Sequence, residues 1–315
     1  MSLAPIVDVH VHVLPTDGTD EEPERDPYEI WEYGHDDRVE ICELAGTIDQ
    51  VTTAMEVAEC DHFVVVNLFA VVNELQKMEA GVEPGGAVPT IGTHRDELAE
   101  RLVAFNTWAV DLAAGRDDMT AFVAVDPTVL GGDAGAAHLR WAHGRGALGV
   151  KIHPVVQRFL PSDPRMEAIW STCEEIGLGV VAHAGASRSG IEWAEPAAYA
   201  ALLEAHPRLK LVLAHLGGGR WQQARQLAAA FPQVRFDLCE IIAWAGAPGA
   251  PTHDELGRMI NDIGPQRIMF GTDFPWYQVD RTIDQVEALP HIAEEQRQGI
   301  LGVNAVDFLG LPVAH

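Results

Sequence analysis

Eight short runs of β-branched and other apolar residues recur along this 315-residue chain, separated by stretches with helical periodicity. They are IVDVHV from Ile6, HFVVVN from His62, MTAFVAV from Met119 and LGVKIH from Leu148. LGVVAH from Leu178, LKLVLAH from Leu209, VRFDLC from Val234 and RIMFGTD from Arg267 complete the set. Each predicts a strand. Between them, residues 95–115 place Leu98, Leu102, Phe105 and Ala109 on one stripe, with Arg and Glu elsewhere. Residues 224–231 and 253–264 read similarly. Strands alternating with helices imply parallel βαβ units. From the fourth run onward the repeat is about thirty residues, too tight for an inserted domain. The count and spacing predict a single α/β domain over residues 1–315, a (β/α)₈ TIM barrel. An open doubly wound sheet is the alternative, weakened because no GxGxxG follows the first run.

The first two units are longer than the others, so enlarged loops are expected after strands one and two. Residues 14–46 are acidic and rich in Pro and Gly, but also hold Tyr28, Trp31 and Tyr33. Following strand one, they would sit at the C-terminal face of a barrel, as a lid or as a solvated loop. Residues 68–93 form a second candidate lid.

In the first run, VDVHVH spaces His10 and His12 two apart. Side chains at i and i+2 of a strand point the same way, so both rings reach one spot. Asp8 would share that face and make structural hydrogen bonds. Other polar residues also fall at strand ends: Lys151 and His153 on the fourth, His183 on the fifth, His215 on the sixth, Asp273 on the eighth. Taken singly, a strand-end histidine is ordinarily a hydrogen-bonded core residue. Several meeting at the mouth of a barrel point instead to chemistry. Three neutral imidazoles and a carboxylate suit one borderline divalent ion, Zn²⁺ first and Mn²⁺ second, with a position left for water. A metal lowers the pKa of its bound water from ~15.7 to about 7. Asp273 could then accept the water's proton, and His215 could position the water or polarise the substrate. Weaker candidates are Arg188, placed to grip an anionic substrate or to lie on the surface, and Trp244, Trp276 and Tyr277, placed to wall a pocket or pack the rim. Gly217, Gly218 and Gly219 could admit a close backbone approach or simply turn the chain.

Lys and Arg number 21 against 47 Asp and Glu, a formal charge of −26. That charge repels phosphate backbones and anionic lipid, so neither nucleic acid nor membrane is an expected partner. No window approaches the ~18 apolar residues of a membrane span, and no basic segment followed by an apolar run suggests secretion. Four separated cysteines without CxxC read as reduced thiols. A cytoplasmic enzyme acting on a small molecule is expected, with homo-oligomerisation left open.

HxH on strand one, single histidines after strands five and six, and GTDFP on strand eight resemble the amidohydrolase superfamily. GVKIHP at 149–154, AHLGGG at 214–219 and GVNAVDFLGL at 302–311 look like its amidohydrolase-related (family 2) branch, which holds aminocarboxymuconate semialdehyde decarboxylase and γ-resorcylate decarboxylase. The resemblance implies His10, His12, His183 and Asp273 as metal ligands and His215 as the catalytic strand-six histidine. It leaves Lys151 in two roles: a hydrogen-bonding residue near the mouth of a one-metal site, or a carboxylated bridge between two metals. The first is the expectation. For function, the resemblance implies a metal-dependent hydrolase cleaving an ester, lactone or amide. A nonoxidative decarboxylase is the alternative, and a barrel that binds metal and ligand without turnover is the third reading.

Overall fold

In the computed structural model, which describes residues 4–15, 28–42, 44–80 and 90–313, a strand forms in every one of the eight apolar runs. They are β1 (Val7–Val11), β2 (His62–Val65), β3 (Met119–Ala124), β4 (Gly149–Ile152), β5 (Gly179–Ala182), β6 (Lys210–Leu213), β7 (Arg235–Asp237) and β8 (Ile268–Met269). All pair in parallel, in chain order. The chain beyond β8 runs on beside β1: Val9 N donates to Phe270 O at 3.0 Å, Asp273 N to His10 O at 2.8 Å, and His12 N to Phe274 O at 2.7 Å. Those bonds bring the last strand back to the first, giving the TIM barrel expected from the spacing.

Strand side chains alternate between two cores, as a period of two requires. Val150, Ile152, Val180, Leu211 and Leu213 pack outward with Leu139, Ile169, Trp170 and Leu203 of the surrounding helices. Phe122, Val181, Val212 and Met269 gather on the other side with Ala305, Val306 and Leu309 of the C-terminal helix Asn304–Leu309. Gly149 makes room for that second core, because a Cβ there would lie 2.2 Å from the Phe122 ring.

β1 departs from simple alternation. Val7 and Val9 belong to the inner core with Val64 and Val66, whereas Val11 belongs to the outer one with Val65. The pairing register with β2 shifts between Asp8 and Val11. Such an irregularity changes which parity faces inward. His10 and His12 therefore reach the mouth above Val7 and Val9. Asp8, expected to share their face, is occupied elsewhere: its carboxylate accepts from Thr272 Oγ1 at 2.6 Å, Thr272 N at 3.1 Å and His10 N at 3.0 Å.

The long connections carry helices of their own. α1 (Tyr28–Tyr33) and α2 (Ile48–Val57) lie between β1 and β2, and α3 (Val71–Ala80) and α4 (Ile91–Ala114) between β2 and β3. Residues 16–27, 43 and 81–89 of the two expected lids lie outside the described residues. The apolar stripe of α4 is buried at Leu98, Leu102 and Ala109. Helices also form at Trp221–Ala230 and His253–Ile263. Among the described residues, no helix is long and apolar enough to cross a membrane.

Candidate metal centre

Asp273 is the hub of the barrel mouth. The chain turns sharply there, with φ of 61°. The turn brings Asp273 Oδ1 to 3.0 Å from His12 Nε2 and 3.4 Å from His10 Nε2. A second carboxylate stands behind His10: Asp237 Oδ2, at the end of β7, is 3.0 Å from His10 Nδ1. With Nδ1–H donating to Asp237, His10 turns the lone pair of Nε2 toward the mouth, the arrangement that prepares an imidazole to bind a metal. Lys151 Nζ, from β4, lies 2.7 Å from that Nε2 and donates to it.

Asp237 also accepts from the His215 amide at 2.8 Å and from Cys239 Sγ at 2.8 Å, both on Oδ1. The Cys239 sulfur is 3.1 Å from His10 Nδ1 and 3.2 Å from His215 Nδ1, so thiol and carboxylate together back two of the histidines. His215 sits in a run of left-handed backbone, φ 59° at His215 and 47° at Leu216, which non-glycine residues adopt only when surrounding structure enforces it. Its Nε2 is 3.0 Å from His183 Nδ1. The His183 ring stacks on that of His153 at 3.7 Å between centroids. His183 Nε2 is enclosed and has no hydrogen-bond partner among the described residues.

Burial controls the charge state of these groups. It pushes His10, His153 and His183 well below the ordinary histidine range, with Lys151 adding to the effect on the first two and His153 on the third. His12 and His215 are lowered by burial too, against the pull of Asp273. Each of these shifts favours the neutral imidazole, the form that ligates a metal. Burial lowers Lys151, with Asp273, Cys239, Asp237 and Glu240 favouring its charge. For Asp273 burial works in the opposite direction, but His10, His12 and His215 outweigh it and hold the carboxyl below the usual carboxylate range.

Two sets of donor atoms open onto the mouth, each within a 4.8 Å span: His10, His12 and Asp273, and His215, Glu240 and Asp273. Asp273 belongs to both. A third set, His10, Asp237 and Cys239, is the buried hydrogen-bonded cluster behind them. Two imidazoles and one carboxylate on a single spot, with an unpartnered imidazole nitrogen nearby, fit a divalent cation.

The structure thus gathers His10, His12, Lys151, His153, His183, His215 and Asp273 around one mouth. His183 joins through His215 rather than through the His10–His12–Asp273 triplet. Trp276 stands edge-on to His12 at 5.2 Å, where it walls the site. Arg188 is exposed, and its guanidinium lies 5.5 Å over the Trp31 ring. Trp244 stacks on Tyr33 and donates to Tyr277 Oη, so these residues form packing beneath α1. Asp237, Cys239 and Glu240 were not anticipated. Their signal lay in the seventh run, VRFDLCE, which ends in polar residues where the other strands carry the site.

A protein-family model described as amidohydrolase matches residues 7–311. Among curated proteins, 2-amino-3-carboxymuconate-6-semialdehyde decarboxylase of Dictyostelium discoideum is 26% identical over 198 residues, covering 53% of this chain. The chain spans about half, 54%, of that relative's length. Among solved structures, 2,6-dihydroxybenzoate decarboxylase from Rhizobium superposes with a TM-score of 0.66 at 19% identity, covering 99% of this chain and 100% of that one. A dihydroxybenzoic acid decarboxylase from a Polaromonas species, with bound manganese and the inhibitor 2-nitroresorcinol, gives 0.65 at 17% identity, covering 99% and 98%. At such identities the structural likeness is one of fold.

Proposed function

Because the chain belongs to the amidohydrolase family, we propose that its mouth holds one divalent metal and that the enzyme is a nonoxidative decarboxylase of a small carboxylic acid bearing an adjacent hydroxyl. Hydrolysis, the first expectation from the motifs, has less support than this alternative, since the curated relative is named a decarboxylase. One observation within the chain carries the reading: Lys151 places a buried amine beside His10 at the mouth, where its N–H groups can donate to a substrate carboxylate.

His10, His12 and Asp273 would hold the ion, with His183 as the expected fourth ligand and zinc or manganese as the metal. A bound divalent ion would supply Lewis acidity to the reacting substrate. Asp273, held ionised, accepts the proton of the substrate hydroxyl and returns it to the carbon bearing the carboxylate. The bond to that carboxylate then breaks, its electron pair stays with the carbon framework, and CO₂ leaves. The product oxyanion takes its proton from solvent, so the net change is one proton consumed and one CO₂ released. His215, anchored by Asp237 and Cys239, orients the hydroxyl, while Trp276 bounds the pocket beside His12.

Hydrolysis stays as the second reading because Arg188, the cation expected to grip a carboxylate, is exposed and lies over the Trp31 ring. The test is CO₂ release from 2,6-dihydroxybenzoate and related ortho-hydroxybenzoates by zinc- and manganese-loaded enzyme, run beside a panel of esters, lactones and amides. CO₂ with deuterium incorporated at the vacated carbon in D₂O is expected. Acid release from the second panel with no CO₂ from the first would overturn the proposal.

A further inference from the structure

The loops that follow His183 and His215 share a feature that the proposed chemistry does not use. A carboxylate from far upstream is sunk between them. Glu32, on α1, places Oε1 2.9 Å from the Ala186 amide and 2.7 Å from the Gly219 amide, and both donate to it. One oxygen therefore joins the loop leaving His183 to the loop leaving His215. Glycines make the socket: a Cβ on Gly185 would stand 3.0 Å from this oxygen and one on Gly218 2.6 Å, while one on Gly219 would be 2.7 Å from Glu32 Cγ. Gly218 adopts φ 56°, ψ −140°, a conformation open to glycine and few others.

The seat extends to a third loop. Gly249 N donates to Tyr33 O at 2.7 Å, and a Cβ on Gly249 would stand 2.8 Å from the Glu32 carbonyl oxygen. Four glycines from three loops, Gly185, Gly218, Gly219 and Gly249, make direct room for Glu32, more than a helix that merely lay on the surface would need.

We propose that Glu32 is a positioning residue whose carboxylate ties the His183 loop to the His215 loop, thereby holding His183 Nδ1 at 3.0 Å from His215 Nε2. The claim rests on the metal reading only for its consequence at a bound ion. Glu32 touches none of the donor sets, so it orients the site without joining the chemistry. Removing it leaves two amides without their acceptor and a void beneath α1. Either loop is then free to open alone.

Hydrogen exchange of the zinc-treated full-length protein tests this directly, with Glu32→Ala, Glu32→Asp and Glu32→Gln read by mass spectrometry. Glutamine keeps an acceptor oxygen at the same reach, whereas aspartate is one methylene short. Glu32→Ala and Glu32→Asp are expected to speed exchange in peptides covering 183–190 and 214–221 by about tenfold or more, the scale of leaving buried amides without an acceptor in reach. Glu32→Gln should stay within about twofold of the parent, and peptides of β3 should be unchanged in all three. Equal exchange in Asp and Gln variants would overturn the proposal, as would acceleration in β3 matching that in the loops. If Glu32→Ala fails to fold, the Asp-to-Gln comparison decides. In parallel, pyridine-2,6-dicarboxylate should extract zinc faster from Glu32→Asp than from Glu32→Gln. A parent protein that binds no zinc would sink the metal reading, while the exchange data would still judge Glu32.

Discussion

His10 owes its usefulness to a residue 227 positions away in the chain. Asp237 accepts the Nδ1–H hydrogen bond, and the opposite nitrogen keeps its lone pair free to ligate. Asp237→Asn can offer an amide N–H to that same nitrogen and so favour the other tautomer. Metal affinity should fall by about 10–100-fold, read by chelator competition, with the far-ultraviolet dichroism unchanged. Unaltered affinity would mean the pair does not set the tautomer. The histidines separate by a similar test. His12→Ala, which removes a neighbour 3.0 Å from Asp273, should leave the protein without tightly held metal. His215→Ala should keep its metal and lose nearly all turnover, because it meets the cluster through His183, Cys239 and Asp237. Equal metal loss in both variants by elemental analysis would place His215 among the ligands. Such roles were legible where the residue type was rare at its position, as with two imidazoles in a β-branched run. Asp237 and Cys239 were not legible, because a lone carboxylate or thiol at a strand end carries no mark of what it faces across the barrel.

Elements are held in place by a few side chains that bond to another element's backbone. Asn106, buried on α4, donates to the carbonyl of Ala124 at 2.8 Å and accepts from its amide at 2.8 Å, completing the end of β3. Asn106→Ala should lower unfolding free energy by about 2–4 kcal/mol in urea denaturation, since both backbone groups lose their partner in a dry site. A change below about 0.5 kcal/mol would show that water replaces the side chain freely. All eight strands and the helices near 95–115, 224–231 and 253–264 were readable because their periodicity spans many residues. The β1 register shift was not. One displaced residue leaves no trace in composition, yet it decides that Val9 fills the core while His10 meets Asp273. The helices in the first two connections were similarly obscured, since their short amphipathic faces are interrupted by the Pro, Gly and acidic residues around them.

At the scale of the whole molecule, the proposed metal and the fold are thermodynamically linked. Anything bound only by the native state stabilises it, by about 4 kcal/mol at a thousand times its Kd. Dialysis against a chelator should therefore lower Tm by several degrees, and adding zinc or manganese back should restore it. A Tm indifferent to both metals would remove the support for a tight site. The barrel's closure adds a temporal constraint. Two of the three bonds that return the last strand to the first involve His10, His12 and Asp273 themselves, through their backbones. The donors therefore assemble at the seam, and the seam forms only after residue 273 has left the ribosome. A partly synthesised chain offers two histidines on an unpaired edge and cannot hold the ion as the finished protein does. On the proposed ligand set, loading of the metal would then have to wait until the seam has closed.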